Sequence, residues 1–344
     1  MNTPYYIGLD IHKKMIAWCL KDETGRVVER GEVKAERNAL KKWAASLPGP
    51  WVGAMEATLF TGWVYDFLLP FAEDLKVAHP EMLKAITAAK KKNDQADAER
   101  IADLLRVGLI PECYMAPREI RELRSVLRFR NLLVAQAVRM KNKISGLLME
   151  VGSPYSKKRL HGQAYFNGLL SDIEDVPEYV LDMLKMSRAG LDLFTKMQKR
   201  LVKALRHDDR IRERVNLLMS IPGVGEVLAL TWVLEVGEPS RFSSVRQAVS
   251  YCGLTSPQKE SAGKNQRCPI SKKRNKHLQT ILVEASKLAP RWNPQLAEVH
   301  EREIARGNRN RATLAIARKL VAYLLAVDKS GLEFCMRQQV KTAA

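Results

Sequence analysis

Four carboxylates, Asp10, Glu56, Asp94 and Asp97, come from three well-separated stretches of a 344-residue chain. Brought together, they would bind one or two Mg2+ ions, which take oxygen ligands and keep open positions for phosphate oxygens. A site of that kind polarises a phosphodiester and stabilises the entering and leaving oxygens. Spacing alone leaves a second reading open, because Asp94 and Asp97, one helical turn apart, are also what a solvated helix start carries. The other candidate reactive group is Ser261, in the polar run Cys252 to Arg267. A serine hydroxyl is a poor nucleophile until a base or metal takes its proton. Glu260 is the one carboxylate in that run, so activation has to come from elsewhere, and the acidic site of the same or another protomer is the candidate. Read from its neighbours, Ser261 is also a phosphate contact. Thr255, Lys264 and Arg267 are placed to hold a scissile phosphate, with Arg267 stabilising charge that develops on it.

The overall charge points the same way. Lys and Arg number 57 against 38 Asp and Glu, for a net charge of +19. That excess attracts polyanions, nucleic acid first and an acidic membrane surface second. No run reaches the roughly 18 to 20 apolar residues of a membrane span, since Asp66 interrupts the best stretch, Leu59 to Ala72. The N-terminus lacks a signal-peptide pattern. The expectation is a cytoplasmic protein acting on nucleic acid. Five scattered cysteines without a C-x-x-C pair, and six dispersed histidines, exclude a zinc or disulfide framework. Any metal is a hard one held by oxygen.

The elements that must position these groups follow from periodicity. Tyr5 to Ile11, Met15 to Lys21 and Arg26 to Lys34 read as an antiparallel meander, with Asp22 to Gly25 as a turn. Asn38 is expected to cap a helix through Leu40, Trp43, Ala44 and Leu47 that Pro48-Gly49-Pro50 ends. A strand from Trp51 to Ala57 delivers Glu56. A helix from Phe60 to Phe71, broken near Pro70, and a strand from Leu75 to His79 follow. From Glu81 to Gly108 the pattern is helical apart from Lys90 to Asn93. This is the order of an RNase H-like α/β domain, in which carboxylates from the first strand, the fourth strand and a late helix converge.

Beyond Pro117 the pattern turns helical. Arg118 to Val151 reads as one long helix with a basic outer face that includes Arg121, Arg124 and Arg128. A loop from Gly152 to Gly168 precedes a second long helix, Glu178 to Leu205, which can pack antiparallel to the first. The pair is either a stalk that binds nucleic acid or dimerises, or a solvated hairpin joining two domains. Ser220 to Gly225, between helices Val215 to Met219 and Val227 to Leu234, has the pattern of a helix-hairpin-helix. Gly223 and Gly225 would let backbone N–H groups approach a phosphate, although a plain turn uses similar residues. After a helix from Phe242 to Tyr251, residues Cys252 to Arg267 are expected to be a loop, within the densest basic cluster of the chain: Lys259, Lys264, Arg267, Lys272, Lys273, Arg274 and Lys276. Helices from Asn275 to Leu288 and from Arg311 to Ala326 follow.

Five motifs occur in order: Gly8-Leu9-Asp10-Ile11-His12-Lys13, Met55-Glu56-Ala57-Thr58, Lys92 to Ala98 around Asp94 and Asp97, Ile221 to Gly225, and Gly253-Leu254-Thr255 with Glu260-Ser261 and Gly263. Together the chain resembles the DEDD transposases of the IS110 insertion-sequence family. The resemblance implies a RuvC-like, RNase H-like domain over residues 1–116, a helical coiled-coil stalk over 117–210, and a mainly α C-terminal transposase domain with a helix-hairpin-helix over 211–344. It implies that Asp10, Glu56, Asp94 and Asp97 are the metal-binding quartet and that Ser261 attacks DNA and becomes covalently joined to it. It further implies a structured guide RNA, the bridge RNA, that pairs with donor and target DNA, so the protein needs little base-specific readout of its own. The setting implied is prokaryotic and nucleoid-associated. Because recombination joins two duplexes, at least a dimer, and a tetramer on DNA, is expected. One residue departs from the pattern: many relatives place Gly directly after Glu-Ala-Thr, where this chain has Leu59. Two other functions compete, a metal-dependent Holliday-junction-type nuclease using activated water, with Ser261 structural, and a non-catalytic basic scaffold.

Overall fold

A computed structural model describes residues 5–86, 93–174, 176–256, 258–261, 264–267, 269–271 and 274–336, with the backbone alone for 258–261 and 264–267. The chain divides into two compact units, Met1–Arg118 and Glu119–Ala344.

The first unit is built on a five-stranded sheet. Strands β1 (Tyr5–Ile11), β2 (Met15–Lys21) and β3 (Val27–Lys34) form the antiparallel meander, and β4 (Trp51–Glu56) and β5 (Asp74–Ala78) add to β1 in parallel, giving the order β3-β2-β1-β4-β5. Strand alternation divides its two faces. Ile7, Leu9, Ile16, Trp18, Trp51 and Met55 point to one side. There they bury the apolar stripes of α1 (Arg37–Ser46) and α2 (Thr61–Leu68), with Trp43 set between Trp18 and Trp51. Asn38 is not the cap of α1: Glu36 occupies that position without a side-chain bond, and Asn38 lies inside the first turn.

The other face carries small residues, and these set how closely a helix can lie. After α3 (Pro80–Ile86), α4 (Asp94–Arg106) packs over β1, β2 and β4. Gly8, Ala17 and Ala54 line its path, opposite Ala98 and Ala102. A Cβ on Gly8 would fall 2.0 Å from the Ala98 carbonyl oxygen and 2.5 Å from the Ala102 nitrogen. Only glycine allows that approach. Buried Lys21 then fixes the helix along the sheet, donating to Asp103 at 2.7 Å and Glu99 at 3.2 Å.

The second unit is helical. Helices α5 (Arg118–Glu150), α6 (Gln163–Asp172) and α7 (Glu178–Arg206) come first. Leu123 and Leu127 share a core with Leu205, while Ile144, Leu147 and Leu148 share one with Val180 and Leu184, so α5 and α7 run antiparallel. Helix α6 lies partly within the stretch expected to be loop, where Phe166 inserts between the long helices. Next are α8 (Asp209–Met219), α9 (Glu226–Val236), α10 (Val245–Tyr251), a hairpin of β6 (Gln258–Ser261) and β7 (Lys264–Arg267), α11 (Lys276–Ser286), α12 (Pro294–Arg306) and α13 (Arg309–Ser330). Every residue of α9 from Leu228 to Val236 is buried, which makes it the central helix of this core. Asp328, its side chain 1 % exposed, accepts from Arg214 at 2.5 and 2.7 Å and from Trp232 at 2.8 Å, joining α8, α9 and α13.

Two further expectations are corrected here. The run Cys252 to Arg267 is not wholly loop: β6 and β7 pair antiparallel, with Ser261 opposite Lys264. The residues of β6 and β7, Gln258 to Ser261 and Lys264 to Arg267, are all polar in type, so no apolar alternation betrays the strands. Helix α12 was not expected; buried Asn293 caps it, accepting from Leu296 N at 3.2 Å, and Pro294 opens it.

Candidate active site

Strand β1 ends with Asp10 on the face that carries Tyr6 and Gly8, toward α4. In β4, Val52 and Ala54 share that face, so Glu56, two residues on, projects to the same side. The parallel register pairs Leu9 with Met55, which puts Asp10 and Glu56 at matching positions on adjacent strands. The segment after Glu56 is held although it departs from the glycine pattern. Thr61 donates to the Glu56 carbonyl at 2.8 Å and accepts from Thr58 N at 2.7 Å, and Leu59 projects into solvent.

The third part of the arrangement is the N-terminus of α4. Asn93 caps it, accepting from Ala96 N at 2.6 Å, and Gln95 donates to the Gly31 carbonyl of β3 at 2.8 Å. Asp94 is the first helical residue and Asp97 lies in the first turn. Asp10, Asp94 and His12 each present an atom within 4.8 Å of the others, the one such three-residue group among the described residues. His12 Nε2 lies 3.2 Å from Asp10 Oδ2 and 3.4 Å from Asp94 Oδ2. Glu56 and Asp97 stand outside this group. Asp97 turns to Arg100, three residues on along the same helix, which donates to it at 2.8 Å.

Electrostatics mark the cluster as unfinished. Burial pushes the Asp10 carboxyl above its ordinary value; His12 offsets part of this, and the charges of Asp94 and Asp97 add to the rise. The two carboxylates Asp10 and Asp94, with the His12 nitrogen between them and Glu56 on the same face of the next strand, are a donor set that fits a divalent cation. His12 had no role in the sequence reading, although it stands in the first motif; a histidine two residues past a strand carboxylate was the available signal.

Comparison with known proteins decides the family. A DEDD transposase model of the IS110 type matches residues 7–152, and a model described as "Transposase IS116/IS110/IS902 family" matches residues 215–301. The transposase for insertion sequence element IS1328 of Yersinia enterocolitica is 24% identical over 95% of this chain and 98% of its own. That for IS1111A of Coxiella burnetii is 26% identical over 91% and 86%. A probable family 20 transposase of Pseudomonas aeruginosa is 24% identical over 83% and 84%.

The chain belongs to the IS110 transposase family. It is therefore an enzyme of DNA cleavage and rejoining. Its N-terminal sheet with a helical remainder is compatible with an RNase H-like DEDD domain, and a DEDD domain is associated with a divalent metal. Among the described residues, no helix is long and apolar enough to cross a membrane.

In the second unit of this transposase, the backbone of Ser261 sits at the end of β6, directly opposite Lys264. The side chains of Ser261, Lys264 and Arg267, and all of Lys272 and Lys273, lie outside the described residues. The stems of the hairpin are anchored. Thr255 accepts from Ser271 N at 3.0 Å through its carbonyl, Tyr251 from Asn275 N at 3.1 Å, and Gly253 from Gln279 Nε2 at 2.6 Å. Gly253 has φ +68°, and a Cβ there would meet the Arg274 side chain at 2.3 Å. Arg274 itself is exposed and donates to the Ser271 carbonyl.

Behind these stems lies Glu235, 1 % exposed. Arg128 grips both its oxygens at 2.8 Å, and Asn275, which caps α11, donates to it at 2.7 Å. Burial raises the Glu235 carboxyl, but the hydrogen bonds from Arg128 and Asn275 and the charges of Arg128 and Arg124 outweigh it, leaving it below its ordinary value. Arg124 donates to the Leu234 carbonyl at 2.7 Å. Arg124 and Arg128, expected on the basic outer face, are thus committed to α9, because the last turn of a buried helix needs its carbonyls and its one carboxylate satisfied. Arg121 lies one turn earlier on α5, half-buried.

The turn between α8 and α9 contains both expected glycines. Gly223 has φ +93°, and a Cβ there would meet Ala289 Cβ at 2.9 Å, so packing explains this glycine. Gly225 faces open space at the N-cap of α9, which no side chain caps.

Proposed function

We propose that this transposase is an RNA-guided recombinase that cuts and rejoins donor and target DNA through a Ser261–DNA phosphodiester. The observation that carries the reading is the convergence of Asp10 and Asp94 within one three-residue cluster at the end of the sheet, with Glu56 on the same face of the adjacent strand. Asp10, Glu56, Asp94 and Asp97 would hold one or two Mg2+ ions. Bound there, the metal would supply charge stabilisation to the phosphodiester oxygens. The Ser261 oxygen attacks phosphorus; an O–P bond to serine forms, the strand's P–O bond breaks, and the departing strand hydroxyl takes up the proton that serine gives up. In the second half, a hydroxyl of the other strand attacks the same phosphorus and loses its proton, and serine leaves and regains one. Thr255, Lys264, Arg267, Lys272, Lys273 and Arg274 steady the phosphate. The net charge of +19 supports contact with a bridge RNA as well as DNA. In this reading residues 1–116 are the RuvC-like catalytic domain, 117–210 a coiled-coil stalk, and 211–344 the transposase domain with its helix-hairpin-helix. The active form is a homo-oligomer, a tetramer on DNA.

The test is to incubate the purified protein and guide RNA with donor and target DNA in Mg2+. The expected product is a protein–DNA adduct that disappears in Ser261→Ala. Free phosphate ends that persist in Ser261→Ala would establish the junction nuclease using activated water instead.

A further inference from the structure

A cleft of about 420 Å3 opens in the second unit where α5, the end of α7 and the start of α9 meet, lined by Arg130, Lys199, Lys203, His207, Glu226 and the two valines Val202 and Val227. Its charges are not balanced from within. Arg130 is half-buried; one guanidinium nitrogen donates to Asn131, a neutral amide, and its buried Nε has no partner among the described residues. Lys199 and Lys203 are exposed and make no side-chain pair among the described residues. The one lining carboxylate, Glu226, has Arg206 beside it at 3.7 Å. His207 donates Nδ1–H to the Lys203 carbonyl at 2.7 Å, which ties the imidazole to the end of α7. The N-terminus of α9, without a side-chain cap among the described residues, adds N–H groups that favour an anion as the lysines do.

A partly buried guanidinium without a counter-charge is costly, and the anion that compensates it must come from outside the chain. The walls say which kind. Val202 and Val227 give the cleft an apolar side, which a small inorganic anion would leave wet and which sugar carbons would cover. We propose that this cleft is a binding site for a backbone phosphate of nucleic acid together with its flanking sugars, Arg130 and Lys203 holding the phosphate and Lys199 closing over it. The site rests on nucleic acid being the partner and not on the chemistry of Ser261. It adjoins the glycine turn, whose Gly225 is the N-cap of α9, and is separate from the basic residues around the serine hairpin.

The test compares Lys199→Gln/Lys203→Gln with Lys41→Gln/Lys42→Gln, which removes the same charge from exposed, unpaired positions of the first unit. Arg130→Gln is the third variant, checked for folding by its unfolding temperature. Affinity for a DNA duplex and, in a separate arm, for a structured RNA is measured across salt concentrations. The cleft variants are expected to bind about tenfold more weakly, and the slope of log K against log salt to shrink by about 1 for each phosphate no longer neutralised, in whichever arm supplies the phosphate. The control pair keeps the wild-type slope. Inorganic phosphate at equal ionic strength should protect the wild-type protein little, because it cannot cover the apolar wall. Equal slopes for the cleft and control variants in both arms overturn the site. So does full protection by inorganic phosphate alone. The slopes are read from binding alone, with no cleavage product formed or needed, so failure of the serine chemistry and failure of this site read out separately.

Discussion

Asp10 and Glu235 are both carboxylates withdrawn from water, and the protein treats them in opposite ways. Asp10 has two other acids close enough to push its carboxyl up and only an exposed histidine to pull it down. Glu235 has a bidentate guanidinium and a capping amide, and its carboxyl is drawn below the ordinary range despite deeper burial. The first region is left short of positive charge; the second is complete. An electrostatically complete cluster stabilises the fold, whereas an incomplete one costs stability until something binds. That difference separates the site from its scaffold more sharply than residue type does, and substitutions on each side test it.

The largest effect belongs to the incomplete side. Asp10→Asn should cut strand cleavage by about a hundred- to a thousandfold, the scale for removing one group that stabilises developing charge. Its unfolding temperature should hold or rise, because one of three crowded carboxylates has become neutral. Cleavage at the wild-type rate, or a marked loss of stability, would make Asp10 an ordinary structural acid. Glu235→Gln should do the reverse. It leaves Arg128 without a counter-ion beside a buried helix end, and since that guanidinium is about half exposed water recovers part of the loss, for a cost of about 2 kcal/mol. Urea unfolding measures it; a change within about 0.5 kcal/mol, the scale of a surface substitution, would mean the cluster holds nothing in place.

Gly8→Ala sharpens the comparison from a third position. The added methyl meets the backbone of α4, which cannot swing aside as a side chain can, so overpacking should cost about 2 kcal/mol. Because Asp94 rides on that helix, cleavage should fall in the folded protein too. Loss of stability with unchanged cleavage would show that the approach of α4 to β1 does not set the acidic cluster.

Much of this was legible in the sequence, and unevenly so. Strands β1 to β5 and helices α5 and α7 announce themselves because their apolar positions repeat at the period of the element, whereas the four acids form a set only through the family resemblance, since spacing leaves a solvated helix start equally open. What escaped depends on contacts remote in sequence. Arg124 and Arg128 look like a solvated basic face until α9 is seen to end against them, more than a hundred residues later. Gly8 looks like a weak point in a strand until Ala98 is seen to need its space. The β6–β7 hairpin has no apolar alternation, and Asn293-Pro294 was a readable helix start that the basic cluster upstream obscured.

Acid separates the two carboxylates by sign. A carboxyl whose folded pKa is depressed contributes stability that is present above its unfolded value and is lost as pH falls through the folded one. For Glu235 that places the loss below pH about 4, so the gap in stability between wild type and Glu235→Gln should narrow on acidification below that point. Asp10, raised in the folded protein, works the other way: its ionisation costs stability as pH rises above the ordinary carboxylate range, and Asp10→Asn should flatten that fall. Measurement is by denaturant midpoints from pH 3 to 7 without divalent ions. A gap for Glu235→Gln that stays constant to pH 3 would contradict the assignment.

The smallest effect is also the most direct. An ion that binds only the folded protein stabilises it by about 1.4 kcal/mol at ten times its dissociation constant. Mg2+ or Mn2+ should therefore raise the unfolding temperature of the wild-type protein by a few degrees and leave Asp10→Asn and Asp94→Asn nearly unmoved, while Glu235→Gln, though starting lower, should rise as the wild type does. Equal shifts in all four proteins would mean that the ion binds elsewhere, and the acidic end of the sheet would lose its claim to be the region that waits for a partner.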